Sequence, residues 1–266
     1  MRGQPITRVG KRIYYEIEAR GFDLYMGGVS TAGVTRTSMD TFATGSENWP
    51  YNGCIWPALS SVLKDVLRDR EKDVTKDATF VDLGSGKGKA LLIAGRLPFR
   101  RVVGVEIDSG LAEAARQNIR RAGDRLRAGS VESVTASAVT WQVPDDTSVV
   151  FMYNPFFGQT FYDAIANVFD SFDRNPRDMH IVYTFPWEHE WLLSTGRVVV
   201  ERVRPEAWLG GSGWWKGEHV IVVYRVTGRN SQADFRQSRS RPVSAAERQA
   251  LERWRSTNTH DFSSAL

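Results

Sequence analysis

Asp82-Leu83-Gly84-Ser85-Gly86-Lys87-Gly88 stands between a run that reads as a buried strand, Ala78-Thr79-Phe80-Val81-Asp82-Leu83, and one that reads as a helix, Lys89 to Pro98. Glycines at such a junction let the backbone turn tightly and let a ligand approach closer than any Cβ permits. A second apolar run, Arg101-Val102-Val103-Gly104-Val105-Glu106-Ile107, follows, and Glu106 near its end is placed where a carboxylate accepts both ribose hydroxyls of an adenosine. A nicotinamide-binding turn calls for Gly-x-Gly-x-x-Gly, but here the third glycine comes one position early and Lys89 takes the sixth place. Gly-x-Gly-x-Gly preceded by an acid suits a cofactor with an amino-acid tail, Asp82 ordering its ammonium end, rather than a pyrophosphate.

Outward from this turn the same grammar continues. Upstream, Leu59, Val62, Leu63, Val66 and Leu67 recur at spacings of three and four, with Pro57 suited to a first turn, which predicts an amphipathic helix from Pro57 to Arg70. Downstream, Ser109 to Ala122 reads as a helix closed by Gly123, Val131 to Ala136 as a third strand and Thr147 to Tyr153 as a fourth. A helix over about Gln159 to Phe172 and a strand over His180 to Phe185 follow. Strand and helix alternating in this way predict a doubly wound, mostly parallel sheet. Arg197 to Arg204 and His219 to Val226 lack an intervening helix, so they predict an antiparallel hairpin at the sheet edge.

The ends have a different character. Residues 1 to about 50 mix turn formers with aromatics and read as a short helix followed by irregular cover. Beyond Gly228 the chain carries seven Arg against four acids and no Lys, read as a linker to Pro242 and then a helix opened by the capping box Ser244-Ala245-Ala246-Glu247 and reaching about Arg255. No internal repeat is present.

Bulk composition narrows the class. Of the 266 residues, 41% are hydrophobic and 25% charged, which argues against global disorder. No apolar run reaches the roughly 18 residues of a membrane span, and Met1-Arg2-Gly3-Gln4-Pro5 lacks the apolar region of a signal peptide, so a cytoplasmic setting without a membrane partner is the expectation. The lone Cys54 makes no internal disulfide, and four scattered His form no zinc-ligand set. A formal charge of +4 permits weak attraction to nucleic acid, anionic lipid or acidic peptide without choosing among them.

The run Phe80 to Ala90, with Val103-Gly104-Val105-Glu106-Ile107, resembles motifs I and II of class I S-adenosylmethionine (SAM)-dependent methyltransferases. The span from Pro57 to Val226 is similar to their order of strands. It also resembles bacterial methyltransferases of undefined substrate that share the Asp-Leu-Gly-Ser-Gly-Lys-Gly turn and an Asn-Pro-Phe after the fourth strand. The resemblance implies an α/β fold, a doubly wound seven-stranded sheet with an antiparallel C-terminal hairpin. It places a methyltransferase domain at 57–227, an N-terminal helix and substrate-side cover at 1–56, and a basic linker and C-terminal helix at 228–266. It further implies SAM as cofactor, S-adenosylhomocysteine (SAH) as product and no metal, with Asp82, Gly84, Ser85, Gly86, Gly88, Glu106 and Ile107 in the cofactor site. Where many relatives hold the adenine amino group with an acid after the third strand, this chain offers Ala136-Ser137-Ala138, leaving Ser137 as a weaker substitute, with Trp141 and Gln142 as alternatives.

Tyr153-Asn154-Pro155-Phe156-Phe157-Gly158 follows the fourth strand, whose C-terminal end borders the cofactor in such a sheet. Methyl transfer from a sulfonium needs the acceptor lone pair in line, so positioning supplies much of the rate. Asn154 and Pro155 are expected to take hydrogen bonds from an acceptor N–H through their carbonyls, and Phe156 to stack on a planar acceptor or face the sulfonium. Asn154 also touches the cofactor in this reading. The corner resembles the Asn-Pro-Pro-aromatic motif of amino methyltransferases, with Phe156 in place of the second Pro, so their adenine and glutamine substrates do not carry over. Tyr25, Trp49, Tyr51, Phe157, Trp214 and Trp215 are expected to shape the substrate entrance. The reaction read from this is methylation of a nitrogen on a protein, peptide or small molecule. An O-methyltransferase acting on a carboxyl or hydroxyl is the alternative, as is a non-enzymatic SAM- or nucleic-acid-binding module using the basic tail. Nucleic acid is the less favoured acceptor, since the chain has little room for a target-recognition region. Glu188-His189-Glu190 reads as loop rather than chemistry, and the oligomeric state is not legible.

Overall fold

The computed structural model describes residues 8–33, 47–49, 51–69, 77–205, 220–228 and 244–257. Its elements in chain order are α1 (Arg8–Tyr25), α2 (Trp56–Asp69), β1 (Thr79–Leu83), α3 (Lys89–Gly95), β2 (Arg101–Glu106), α4 (Ser109–Ala122) and β3 (Ser130–Thr135). There follow β4 (Thr147–Tyr153), α5 (Gly158–Arg174), β5 (His180–Thr184), α6 (His189–Ser194), β6 (Val198–Pro205), β7 (Val220–Val226) and α7 (Ala245–Thr257).

The seven strands form one sheet in the order β3-β2-β1-β4-β5-β7-β6. The first five are parallel. Strand β7 inserts antiparallel between β5 and β6, which leaves β6 at the edge. This is the sheet expected from the sequence, including its reversed hairpin. Every residue of β1 and β5 is buried, as it must be when helices cover both faces. On one face Leu59, Val62 and Leu63 of α2 and Leu91 to Ile93 of α3 pack against Phe80, Val102 and Phe151. On the other, Phe161, Ile165 and Val168 of α5 and Leu251 and Trp254 of α7 pack against Val81, Val150 and Tyr224.

Two expectations change, one at the N-terminus and one after β5. The N-terminal helix is not short: α1 runs 18 residues and contributes Phe22 and its successor Met26 to the first core face. A helix not anticipated from the sequence, α6, follows β5. The Ser244 capping box forms as expected, Ser244 Oγ accepting from Glu247 N at 3.2 Å and the Glu247 carboxylate accepting from Ser244 N at 2.8 Å. The hairpin loop with Trp214 and Trp215, and the linker from 229 to 243, lie outside the described residues. Among those described, no helix is long and apolar enough to cross a membrane.

The strand ends are where the backbone departs from easy geometry. Asn154 and Phe185, the residues following β4 and β5, both adopt left-handed φ, 45° and 52°, and each precedes a proline. Such conformations cost a non-glycine residue roughly 1–3 kcal/mol and persist only where packing over-determines them. Here the β4–β5 register sets Tyr153 opposite Thr184, and the Tyr153 and Phe185 rings meet edge-on at 5.4 Å. Both turns therefore close over the same end of the sheet.

Candidate active site

An open cleft of about 960 Å³, counting the space at its mouth, lies across the C-terminal ends of β1, β2, β3 and β4. The glycine turn supplies Gly84 and Gly86, the end of β2 supplies Glu106, Ile107 and Asp108, and the segment after β3 supplies Ala136 to Val139. Tyr153, Asn154, Pro155 and Phe156 come from β4 and its turn. Asn48, Trp49, Tyr51 and Asn52 close the cleft from the N-terminal segment, with Thr160 of α5.

A small recess with room for about one water molecule adjoins it behind the glycine turn, lined by Asp82, Ser85, Lys89, Gly53 and Cys54. Tyr51, Asn52, Gly84 and Tyr153 line both spaces, so these four residues mark the junction. Asp82 and Ser85 thus belong to the recess rather than to the main cleft. Ser85 Oγ there is buried and has no hydrogen-bond partner among the described residues. Burial, and then the charge of Glu106, push the Asp82 carboxyl well above the usual carboxylate range.

Glu106 is held by the turn it was expected to serve. Its Oε2 accepts from Gly86 N at 2.7 Å and its Oε1 from Asp108 N at 2.9 Å. A carboxylate offers about four acceptor sites, so capacity remains for ribose hydroxyls. Burial raises the Glu106 pKa, and the N–H groups of Asp108 and Gly86 oppose that rise. Beside it Ile107 leaves 43% of its surface exposed in the cleft, an apolar area of the kind a planar ring covers.

The glycines do not simply leave room for a ligand. A Cβ on Gly84, at φ 78°, would meet Pro155 Cβ at 2.3 Å, and one on Gly86, at φ 52°, would meet Tyr51 Cδ2 at 2.0 Å. The turn is therefore bare because Pro155 and the Tyr51 ring lie against it, and only its backbone faces the cleft. Gly88 takes no part in the cleft lining. A Cβ there would stand 3.0 Å from that of Ala115, so its role is packing of α3 on α4.

The N-terminal segment is tied to this site by specific bonds. Asn48 bridges Phe156 in antiparallel fashion, Trp49 N donates to Pro155 O at 2.9 Å and Phe157 N to Glu47 O at 3.0 Å. The Glu47 carboxylate caps α5 through Thr160 N at 2.6 Å and Gln159 N at 3.2 Å. Burial pulls the Glu47 pKa up, but these N–H groups outweigh it and hold the carboxyl below its usual value. Lys89, the first residue of α3, pairs with Glu18 of α1 at 2.7 Å. Tyr51 donates its hydroxyl to Thr31 O at 2.8 Å, and Asn118 of α4 bonds both Ser30 and Lys87 O.

Several expected residues sit elsewhere. The Tyr25 ring is stacked on Trp56 at 4.8 Å with the Arg96 guanidinium 4.5 Å from its centre, and it does not line the cleft. Phe157 also stays out of the lining, its ring 5.6 Å from that of Trp49. Trp141 and Gln142 do not border the cleft, whereas Ser137 does, its hydroxyl accepting from Val139 N at 3.3 Å. The two carbonyls assigned to the acceptor each already accept one hydrogen bond, Pro155 O from Trp49 N and Asn154 Oδ1 from the Tyr183 hydroxyl at 3.2 Å. Phe156, only 4% exposed, is largely core against Phe161.

Glu188, His189 and Glu190 all have structural partners. Glu188 accepts from Gly158 N at 2.9 Å, His189 Nδ1 meets the Tyr224 hydroxyl at 2.6 Å, and Glu190 pairs with Arg255 at 2.9 Å. Among the described residues no cluster of His, Cys, Asp and Glu has the composition to hold a metal ion. Trp49 lines the cleft as expected, and Asn48, Asn52, Asp108, Leu111, Val139, Tyr153 and Thr160 line it without having been singled out from the sequence. Only Asp108 carried a local signal, an Asp directly before a helix, and it does cap α4 by accepting from Leu111 N at 2.9 Å.

No protein-family model matches the chain, and no curated protein matches it. Among solved structures, an RNA methyltransferase from Salinibacter ruber in complex with SAH is 19% identical, over 66% of this chain and 94% of that one, with a TM-score of 0.42. The ribosomal protein L11 methylase of Lactobacillus delbrueckii subsp. bulgaricus is 14% identical over 65% and 79%, TM-score 0.45. Precorrin-6y C5,15-methyltransferase from Geobacter metallireducens is 19% identical over 64% and 87%, TM-score 0.44.

Proposed function

We propose that this protein is a SAM-dependent methyltransferase acting on a protein, peptide or small-molecule acceptor. The observation that carries the reading is the pair of adjoining spaces that meet at Tyr51, Asn52, Gly84 and Tyr153. SAM is a nucleoside and an amino-acid tail joined at a sulfonium. The main cleft suits the nucleoside, Glu106 receiving the ribose hydroxyls and Ile107 and Ser137 flanking the adenine. The tail extends from the cleft toward the recess, where Asp82 and the Ser85 hydroxyl, which has no partner among the described residues, reach its charged end through the one water the recess admits. Two aromatic rings, Tyr51 and Tyr153, then flank the cation.

When bound, SAM supplies an electrophilic methyl group. The protein's residues do the rest by positioning. Glu106 braces the glycine turn through Gly86 N, so the wall is set before the cofactor arrives. The strained Asn154-Pro155 turn, pinned by Trp49 N, sets the side of the cleft where an acceptor enters. Residues 57–227 form the catalytic unit in this reading and 1–56 its cover, with 228–266 a tail. The nitrogen acceptor expected from the sequence relied on the Asn154 carbonyl, one of whose two acceptor sites the Tyr183 hydroxyl takes.

Titration calorimetry with SAM and SAH tests the proposal. Both are expected to bind the folded protein, with Glu106→Ala and Asp82→Ala each weakening them; absence of binding to folded wild type rejects it.

A further inference from the structure

We infer that Asn154 acts as a hydrogen-bond donor to the acceptor, that Tyr183 fixes it in that role, and that the methyl acceptor is a carboxylate on an apolar body. This rests on the methyltransferase reading above and narrows its substrate class.

The argument starts from the buried Tyr183 hydroxyl. Its oxygen is approached by backbone N–H groups of Glu188 and Trp187, which favour the anion, yet burial dominates and drives the pKa above the ordinary phenol value. The group is therefore a neutral hydroxyl that already accepts. Its own proton needs an acceptor, because a buried unsatisfied O–H costs roughly 1–3 kcal/mol. The atom 3.2 Å away on Asn154 must then be the carbonyl oxygen Oδ1 and not the amide nitrogen. Carbonyl and amino group diverge on one planar amide, so holding the first toward β5 frees the second. Nδ2 has no partner among the described residues and is not among the buried atoms that lack one, so it is accessible on a residue that lines the cleft. Asn154 therefore offers two N–H donors to whatever enters.

The neighbouring wall decides what that donor meets. Among the described residues that line the cleft there is no His or Lys, and its two carboxylates are committed, Glu106 to Gly86 N and Asp108 N and Asp108 to Leu111 N. The nearby carboxylates of Glu47 and Glu188 are engaged with backbone N–H groups at the start of α5. An alcohol needs a base to lose its proton, and an alkyl amine, with a reference pKa of about 10, arrives without a lone pair. A carboxylic acid, with a reference pKa of about 4, arrives ionised and needs no base. It also accepts N–H bonds with one oxygen while the other reacts. Trp49 and Tyr153 give the body of such an acid an apolar, aromatic surface.

The step balances without proton movement. A carboxylate oxygen pair forms the O–CH3 bond as the CH3–S bond of SAM breaks and its electron pair passes to sulfur. One negative and one positive charge disappear together, giving a methyl ester and SAH.

The test uses the full-length, isotope-labelled protein saturated with SAH and three probes of similar shape: phenylacetate, phenylacetamide and phenethylamine. Phenylacetate is expected to shift the Asn154 side-chain amide resonance, identified by its loss in Asn154→Asp, and to bind at least about tenfold tighter than the other two. Tyr183→Phe should collapse that discrimination while SAH affinity holds, and Asn154→Asp should abolish phenylacetate binding. With SAM in place of SAH, the methyl group transferred to phenylacetate should be released as methanol by mild alkali. The inference is overturned if phenylacetate leaves the resonance unmoved, if the amide or amine binds tighter, or if Tyr183→Phe keeps full discrimination. Failure of SAH to bind would instead remove the methyltransferase reading, and this inference with it.

Discussion

Lys89 Nζ lies 2.7 Å from Glu18 Oε2, with the two side chains only 2% and 7% exposed. The second Glu18 oxygen accepts from Trp56 N at 2.8 Å, so one carboxylate joins α1, the start of α2 and the residue that follows the glycine turn. A buried pair of this kind is weak evidence for stability as such, but removing one partner strands a charge.

Glu18→Gln should therefore destabilise the protein by about 3–5 kcal/mol, and the double variant Glu18→Gln/Lys89→Met should recover much of the loss. Denaturant unfolding of the two variants against wild type measures both. An additive double variant would contradict the pairing.

Gly86→Ala should weaken SAM binding while leaving a folded protein. The left-handed φ costs a non-glycine residue roughly 1–2 kcal/mol, and the new Cβ must displace the Tyr51 ring from the junction of the two spaces. A loss of about tenfold or more in affinity is expected by calorimetry. Gly196→Ala, also at positive φ but with no neighbour within 4 Å of its Cβ, is the control and should bind SAM as wild type does.

Asp82 makes stability and binding respond oppositely to pH. Its folded pKa is raised by burial and by Glu106, so the folded protein keeps the proton to higher pH than the unfolded chain does. Its contribution is then full below the unfolded carboxylate range and is lost as pH rises through the folded value. Asp82→Asn should gain stability over wild type at neutral pH and lose that advantage in acid. A cationic cofactor end favours the ionised carboxylate, so wild-type SAM affinity should rise with pH and binding should release protons. Calorimetry in buffers of different ionisation enthalpy reads the release, and Asp82→Asn should abolish it.

Trp254, 4% exposed on α7, packs into the core face that includes Tyr224. Trp254→Ala should cost about 3–5 kcal/mol yet leave SAM affinity unchanged at temperatures where the variant is folded. A matching loss of affinity would show that the C-terminal helix shapes the cleft.

Much of this molecule is legible in its residue order because the relevant physics is local. Alternating helix and strand periods, the turn at Asp82 to Gly88 and the Ser244 cap each depend on residues a few positions apart, and the sheet with its reversed hairpin follows from them. Glu106 and Ile107 were placed by the same reasoning, since the end of the strand after a glycine turn must border it.

What tertiary structure alone decided depends on contacts between distant segments. No local pattern announces that Tyr51 covers Gly86, that Trp49 N engages Pro155 O, or that Tyr25 turns away toward Trp56. The polarity of Asn154 is of the same kind. Which end of a side-chain amide faces the cleft depends on which end a neighbour holds, and the hydroxyl that holds the carbonyl belongs to the neighbouring strand, 29 residues away.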